Sequence, residues 1–382
     1  MKNKLLEFFE CKNLNKKDLA FCLISILALM VILFIPTGFE EMKQKGGIGA
    51  KCRIIEIDNT GVKVFGLIKQ GTQVLKLEVL NSRHKGKIVT SANTLIGKME
   101  LDTFYKVGDR TFTVIESINN KIINASTIGY YRIDITIILL LSFSFLLIIY
   151  AGFTGVKALI TFLLTGILIW KVLLPGFLKG YNPVFFSLAI VSILTFLIIF
   201  LIAGFNKKGV TAFVGAISGV HCTCCLSILF GHFFRINGAV KPFSETLLYS
   251  GYPYLNLYQI FLAGIFIASS GAVMDIAMDV SASMNEIKEK HPKITKSELI
   301  LSGFKIGRAV IGTMTTTLLL AYSGGYTAML MVFIAQGTPE INIVNIQYVS
   351  AQILHTLVGS FGLVLVAPFT AIAGGIIYNR DF

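Results

Sequence analysis

The sequence has few charged residues: Asp, Glu, Lys and Arg make up 14% of its 382 positions, whereas a typical soluble domain has about 25%. Hydrophobic residues account for 54% of the chain. This balance excludes an ordinary soluble domain. Several apolar runs reach the ~20 residues that a helix needs to cross a bilayer, so the composition predicts a polytopic α-helical membrane protein.

The sequence also lacks the short motifs of common enzymes. It contains no GxxxxGKS/T, GxSxG or HExxH pattern, which disfavours ATP hydrolysis within this chain and the familiar classes of hydrolase. No convincing nucleophile and no cofactor motif is present, so we expect neither an enzyme nor a bound cofactor. Of the six cysteines, only Cys52 falls in the segment predicted to be soluble, so no disulfide framework is expected.

Acidic residues are outnumbered by basic ones, and the net charge is +13. No basic patch with interleaved aromatic residues is present, so the expected partner is a lipid bilayer and not nucleic acid. The N-terminal 18 residues are rich in lysine, which predicts a cytoplasmic N-terminus. We assign residues 1–36 to this terminus and to a first anchor over 19–36, uncleaved because no small-x-small cleavage site follows it.

Residues 37–133 differ in kind from the rest, because short alternating runs are separated by turn signals. The runs CRIIEID, VKVFGLIKQ, QVLKLEVL, GKIVT and TFTVIES are predicted to be strands. They predict a small extracytoplasmic all-β domain, a β-barrel or sandwich of OB-like form. Its single histidine, His84, lies in a basic turn and is expected to be solvated.

Residues 134–382 are predicted to form a multi-helix transmembrane domain, which brings the total to about eight transmembrane helices. A shorter apolar piece at 326–336 either crosses the membrane or re-enters it. Pro368 is expected to end or kink the last helix. The predicted spans are 134–151, 154–174, 184–204, 209–231, 256–281, 303–323 and 348–376.

Two aspartates stand out within the apolar run at 256–281. Asp275 and Asp279 lie one helical turn apart on one face, and ionisable residues inside a membrane span are costly and often functional. Two such close carboxylates do not easily ionise together, so one would tend to hold a proton. With Arg308 and Thr315 on the next span they predict a proton or ion relay. The alternative is a structural ion pair of an aspartate with Arg308, which can snorkel to the interface.

Two further sets of residues are weaker candidates. Glu286 and His355 are accessory members of such a relay, although a lone histidine in an apolar run is more often a satisfied core residue. His221, Cys222 and Cys225 combine sulfur and imidazole groups that can bind soft metal ions, but buried cysteine is also a common apolar residue.

The sequence also predicts how these helices start and pack. Thr295 and Glu298 have the spacing of a capping box, which predicts a helix start. Gly303 and Gly307 in this helix have the small-xxx-small spacing of close helix packing. Gly215 and Gly219 repeat the same spacing in the run at 209–231.

Three long segments of the membrane region resemble the YibE/F family of bacterial membrane proteins. They are SSGAVMDIAMDVSASMNEI, SELILSGFKIGRAVIGTMTTTLLLAYSGG and ILHTLVGSFGLVLVAPFTA. The resemblance covers the chain from about residue 134 onward, and the preceding anchor and β-domain fit the layout of that family. It implies this architecture and names no activity.

A second resemblance bears on mechanism. An Asp-bearing helix rich in small residues, a charged loop and a Thr-rich span are similar to the pattern of SecD/SecF and of the resistance-nodulation-division permeases. That resemblance implies proton carriers at Asp275 or Asp279, with Arg308 and Thr315 as neighbours. This chain departs from the pattern in its smaller outer domain, its additional helices and the lack of a second half.

Two functions follow as expectations. The first is a permease-like protein, proton-coupled through the intramembrane carboxylates, acting on an unidentified substrate and assembling as a homo-oligomer. The alternative is a non-transporting membrane scaffold whose β-domain binds a partner. Seven or more spans exceed what an anchor needs, which favours the first.

Overall fold

The computed structural model describes residues 16–40, 47–118 and 121–380. The described chain folds as two compact units, divided between Thr37 and Gly38 and again between Leu147 and Ile148. The unit between these boundaries contains the β-domain, and the other contains most of the helices.

The β-domain is a nearly closed, five-stranded antiparallel sheet with the strand order β3-β2-β1-β4-β5. The two outer strands approach each other, because the Thr127 backbone N–H and hydroxyl donate to Ser91 Oγ over 3.0 and 2.9 Å. These bonds satisfy polar groups that an open edge would expose. The strands are β1 (Gly47–Phe65), β2 (Ile68–Val79), β3 (Ile88–Ile96), β4 (Arg110–Ile118) and β5 (Lys121–Tyr130).

The predicted strands and the observed strands differ in two places. The first predicted run and the first four residues of the second belong to the single long strand β1, and the end of the second run belongs to β2. Asn59-Thr60-Gly61 marks a shift of register in β1 and not a turn. The chain reverses at Gly66 instead, whose φ of 60° suits glycine. The strand β5 was not predicted, because it owes its place to pairing with β4 and to the bonds with Ser91, which no local pattern records.

The core of the β-domain contains one fully buried amide. Gln73 is 0% exposed; its Nε2 donates to Asn59 Oδ1 and to the Tyr105 carbonyl over 2.8 and 3.2 Å. Its Oε1 accepts from the Tyr105 N–H and from Asn93 Nδ2, each over 3.0 Å. Gln73 thereby holds the loop between β3 and β4 against the sheet, and burial of the Tyr105 ring raises its pKa to about 12.

His84 corrects an expectation from the sequence. Its side chain is 1% exposed and its Nε2 lies 3.3 Å from Ser117 Oγ. The basic turn around it is exposed, but the imidazole folds back against β4. The residue is therefore buried, because its contact is with a strand 33 residues away, which the turn sequence does not show.

Replacing Gln73 by Leu should destabilise the β-domain by about 1–3 kcal/mol, since it removes the hydrogen-bond partner of the buried Tyr105 N–H and carbonyl. Hydrogen exchange of residues 97–109 in the purified protein should show the loss of protection. Gln70→Leu, an exposed position on the same strand, is the matched control. Equal protection in wild type and Gln73→Leu would contradict the assigned role.

Outside the β-domain most of the described residues are helical. A π-helical stretch, Ile169–Leu173, connects α2 to α3. The helices are α1 (Lys16–Phe34), α2 (Ile133–Leu168), α3 (Leu174–Leu178), α4 (Pro183–Ala203), α5 (Lys207–Phe234), α6 (Ser244–Tyr249), α7 (Leu257–Lys290), α8 (Lys296–Gly324), α9 (Thr327–Ala335), α10 (Glu340–Asn345) and α11 (Gln347–Ile377).

The expected number of about eight transmembrane helices is wrong for the described residues. Five helical runs are long and apolar enough to cross a membrane, or six if the bent pair α8 and α9 is one span. The predicted spans 134–151 and 154–174 belong to one run of 46 residues, Ile133–Leu178, and the apolar part of α1 is too short to be counted. Gly152 interrupts that run with a non-helical φ of 55° and ψ of −130°, where the sequence placed a link.

The apolar piece at 326–336 corresponds to α9, which is bent from α8 by 66°. It leaves the bundle beside Lys241, whose Nζ donates to the hydroxyl of Tyr326 at the start of α9. The chain returns at Gln347, which donates to Asn237 Oδ1 over 2.6 Å. Both contacts lie at the same end of the bundle. The last helix, α11, does not end at Pro368 but continues to Ile377.

Candidate functional site

Glycine residues set the distance between α5 and α11. A Cβ on Gly215 would collide with Thr370, and a Cβ on Gly362 would collide with the Thr223 hydroxyl. The two threonine hydroxyls donate to carbonyls of their own helices, at Val366 and Gly219. The small-xxx-small prediction for α5 is therefore confirmed, and the helices pack closely without leaving these hydroxyls unsatisfied.

Close packing at glycine residues also joins α8 to α11. A Cβ on Gly303 would lie 2.7 Å from the Ala371 Cβ, and one on Gly307 would lie 2.7 Å from the Ala367 Cβ.

The capping box at the start of α8 is also confirmed, because Thr295 Oγ1 accepts from the Glu298 N–H and Glu298 Oε2 accepts from the Thr295 N–H. The sequence thus predicted both the start of α8 and the face by which it packs.

Substituting Gly215 by Ala should destabilise the bundle by about 1–3 kcal/mol, because the added methyl group meets the backbone of α11 as well as a side chain. Gly166→Ala in α2, where nothing lies within 4 Å of the new methyl group, is the matched control. In thermal unfolding of the detergent-solubilised protein, Gly215→Ala should have a lower midpoint than Gly166→Ala. Equal midpoints for the two variants would contradict the close approach of α5 and α11.

The helix α7 is buried on every side except one narrow stripe. It packs against α4, α5, α8 and α11, and its exposed positions recur three or four residues apart. Asp275 and Asp279 occupy this stripe and form no ion pair or hydrogen bond with any residue in the described ranges. The stripe consists of Ala268, Gly271, Asp275, Asp279, Ala282 and Glu286.

The structure does not bring Arg308 to these carboxylates. Arg308 is exposed on α8, and within the described ranges its guanidinium joins no ion pair, so the structural ion pair with Asp275 or Asp279 is not formed. Thr315 is half-buried and donates to the Ile311 carbonyl of its own helix over 3.1 Å. The four predicted relay residues therefore lie on two neighbouring helices and are not joined by a hydrogen-bonded chain.

Glu286 belongs to the solvated end of α7. Its carboxylate accepts from Lys290 Nζ over 2.5 Å, and both side chains are largely exposed. Lys207 and Lys288 lie at the same end, where they donate to the Arg380 carbonyl and to Asn379 Oδ1 over 2.6 and 2.7 Å. The lysines in the last turn of α7 and at the start of α5 thus gather at one end of the bundle, with the C-terminal end of α11.

The histidine and cysteines of α5 differ in exposure and do not converge on a three-ligand group in the described part of the chain. Cys222 is half-buried and Cys225 exposed, while His221 Nδ1 lies 2.8 Å from the Ile217 carbonyl. No group of three or more His, Cys, Asp or Glu side chains able to hold a metal ion occurs among the described residues. The structure gives the predicted soft-metal site no third ligand.

His355 is placed inside the bundle beside α8. Its ring stacks on Tyr322 with centroids 4.4 Å apart, and its Nε2 lies 3.4 Å from the Gly264 carbonyl. Two buried polar atoms here, His355 Nδ1 and the Tyr322 hydroxyl, have no hydrogen-bond partner in the part of the chain that the structure describes. The pair marks a polar region at the end of the bundle where α8 ends and α11 begins.

The same end contains a lysine that the sequence analysis missed. Lys241 precedes α6; its Nζ donates to the Tyr326 hydroxyl over 2.8 Å and to Gln352 Oε1 over 3.4 Å. A cavity of about 690 Å³ adjoins it, and a second, apolar cavity of about 260 Å³ shares Tyr326 and Met329 with the first. Lys241 meets partners 85 and 111 residues away, so no local pattern could have identified it.

The long apolar helices and the five-stranded sheet define a helical protein able to span a membrane and bearing one small all-β domain. The chain belongs to the YibE/F-like family: it matches YibE/F-like protein over residues 139–380. The YibE/F family N-terminal domain matches residues 56–130, which cover most of the β-domain. No curated relative and no solved structure matches the chain.

Proposed function

We propose that this protein is a permease-like membrane protein, proton-coupled through Asp275 and Asp279, with a substrate still to be identified. The observation that carries the proposal is the pair of carboxylates on the only open stripe of α7, without a partner in the described residues. Structural carboxylates inside a membrane protein are normally paired. These two are instead available to bind and release an ion.

A proton is the ion that suits this stripe best. A carboxylate that meets neither a cation nor a hydrogen-bond donor is least costly in an apolar setting as the neutral acid. Because Asp275 and Asp279 are one turn apart, ionisation of one opposes ionisation of the other. Movement of the stripe between a dry and a wet environment would then load and unload a proton.

The neighbouring helix supplies the other proposed members of the relay. Arg308 and Thr315 lie on α8, which meets α11 through glycine and alanine contacts at Gly303 and Gly307. Such contacts let packed helices shift by small shear movements. A shift of α8 along α11 would change the distance of Arg308 from the two carboxylates and so change their affinity for a proton.

The proposed orientation places the N-terminus in the cytoplasm and residues 37–133 outside it. The gathering of Lys207, Lys288 and the Arg380 carbonyl at one end of the bundle supports it, since cytoplasmic ends are rich in lysine and arginine. Charged residues on an open stripe also favour assembly as a homo-oligomer, in which a second copy would cover them.

The carriers can be identified without a known substrate. Infrared spectra of the reconstituted protein, recorded from about pH 5 to 8, should contain a protonated-carboxyl band that Asp275→Asn or Asp279→Asn removes. Glu245→Gln, at a carboxylate outside the membrane-spanning helices, is the control and should leave the band intact. If neither aspartate variant changes the band, both groups are ordinary ionised side chains and the proton-coupled function is wrong.

A second candidate function is the non-transporting scaffold, and one observation favours it. The OB-like β-domain exposes large apolar side chains around the β1–β2 turn, including Leu67 at 86% and Met99 at 74%. Leu67 and Met99 line one shallow pocket, and Phe65, two residues before Leu67, is also exposed. Contiguous exposed apolar groups on a small domain often mark an interaction surface.

The scaffold function can be tested in native membranes with a photo-activated crosslinker that replaces Leu67. A discrete protein adduct that is absent when the crosslinker replaces Lys85, an exposed position in the β2–β3 turn, would support partner binding. Adducts at neither position, or equal adducts at both, would count against it.

A further inference from the structure

The cavity beside Lys241 places one unpaired positive charge at its edge. Lys241 is half-buried, and its Nζ meets only neutral groups: the Tyr326 hydroxyl, Gln352 Oε1 and, at 5.1 Å, the Tyr326 ring. No carboxylate forms an ion pair with it in the described residues. A partly buried ammonium group with neutral neighbours favours an anion close by.

The acidic residue nearest in sequence does not supply this anion. Glu245 lines the same cavity, but its Oε1 accepts from the Tyr249 hydroxyl over 3.1 Å. That bond raises the pKa of Tyr249, because the hydroxyl donates to a carboxylate. The Glu245 carboxylate is thus hydrogen-bonded within its own helix and does not pair with Lys241. The positive charge of Lys241 is available to an anionic ligand.

The second cavity is apolar and continuous in its lining with the first. Tyr326 and Met329 contribute to both. The remaining walls come from the end of α8, from α9 and from the first turns of α11. The apolar side chains among them are Leu319, Leu330, Val349, Ile353 and Leu357.

We propose that these two cavities form one binding site for an amphiphile with an anionic head group and an acyl chain. The head group lies at Lys241 in the larger cavity, whose 690 Å³ is within the range of small-molecule sites. The acyl chain lies against α8, α9 and α11 in the apolar cavity, past Met329. The chemistry is shared by an anionic phospholipid of the membrane and by a free fatty acid, and the proposal does not depend on proton coupling.

Native mass spectrometry of the full chain in a neutral detergent tests the site. We expect an anionic amphiphile, phosphatidylglycerol or dodecanoate, to be retained and phosphatidylcholine to be lost. Which of the two anionic amphiphiles is retained shows whether the ligand is a membrane phospholipid or a free fatty acid. Lys241→Gln should weaken retention of the anionic amphiphile roughly tenfold or more, whereas Lys241→Arg should keep it. Met329→Trp, which fills the shared wall, should weaken it while leaving Lys241 in place.

The matched control is Lys179→Gln, an exposed lysine next to Leu178, whose carbonyl accepts from Tyr254 in the loop before α7. This substitution also removes one positive charge, but outside both cavities, so retention of the anionic amphiphile should be unchanged. Equal retention of phosphatidylglycerol and phosphatidylcholine by the wild-type chain overturns the proposal, and that comparison stands even if Lys241→Gln does not fold. Retention that is unchanged in a folded Lys241→Gln protein also overturns it.

Discussion

The close approach of helices at glycine is the constraint on which the helical unit depends. At Gly215, Gly303, Gly307 and Gly362 even one methyl group would meet the neighbouring helix. In a membrane, where water does not drive apolar side chains together, this fit supplies much of the helix association. It brings α5 and α8 onto α11 and leaves no room between them for a large or charged side chain.

That constraint explains where the two aspartates can be. With α4, α5, α8 and α11 packed around it, α7 has one open stripe, and a carboxylate elsewhere on the helix would need a buried cation. Asp275 and Asp279 are accommodated because Ala268, Gly271 and Ala282 share the stripe and keep it narrow. In the described residues no cation pairs with these carboxylates, which is why a proton is the proposed ion.

The sequence predicted the features that depend on local pattern. The capping box at Thr295 and the packing faces of Gly215 and Gly303 were foreseen, because spacing along one helix determines each of them. His84, Lys241 and the strand β5 were not, because each is fixed by a partner distant in sequence. The span count was too high because apolar length alone does not show that the runs at 134–151 and 154–174 belong to one helical run kinked at Gly152, or that the apolar part of α1 is too short to cross.

Hydrogen bonding distinguishes several threonines of the bundle from its charged residues. Thr195, Thr223 and Thr370 are buried but donate to carbonyls four residues earlier in their own helices, so they need no other role. Within the described ranges, Asp275 and Asp279 have no such internal partner, and Lys241 meets only neutral groups. Since uncompensated charge is costly in an apolar setting, these side chains are the ones whose presence packing does not explain. The carboxylate stripe and the Lys241 cavity are therefore where ligands of this protein should be sought.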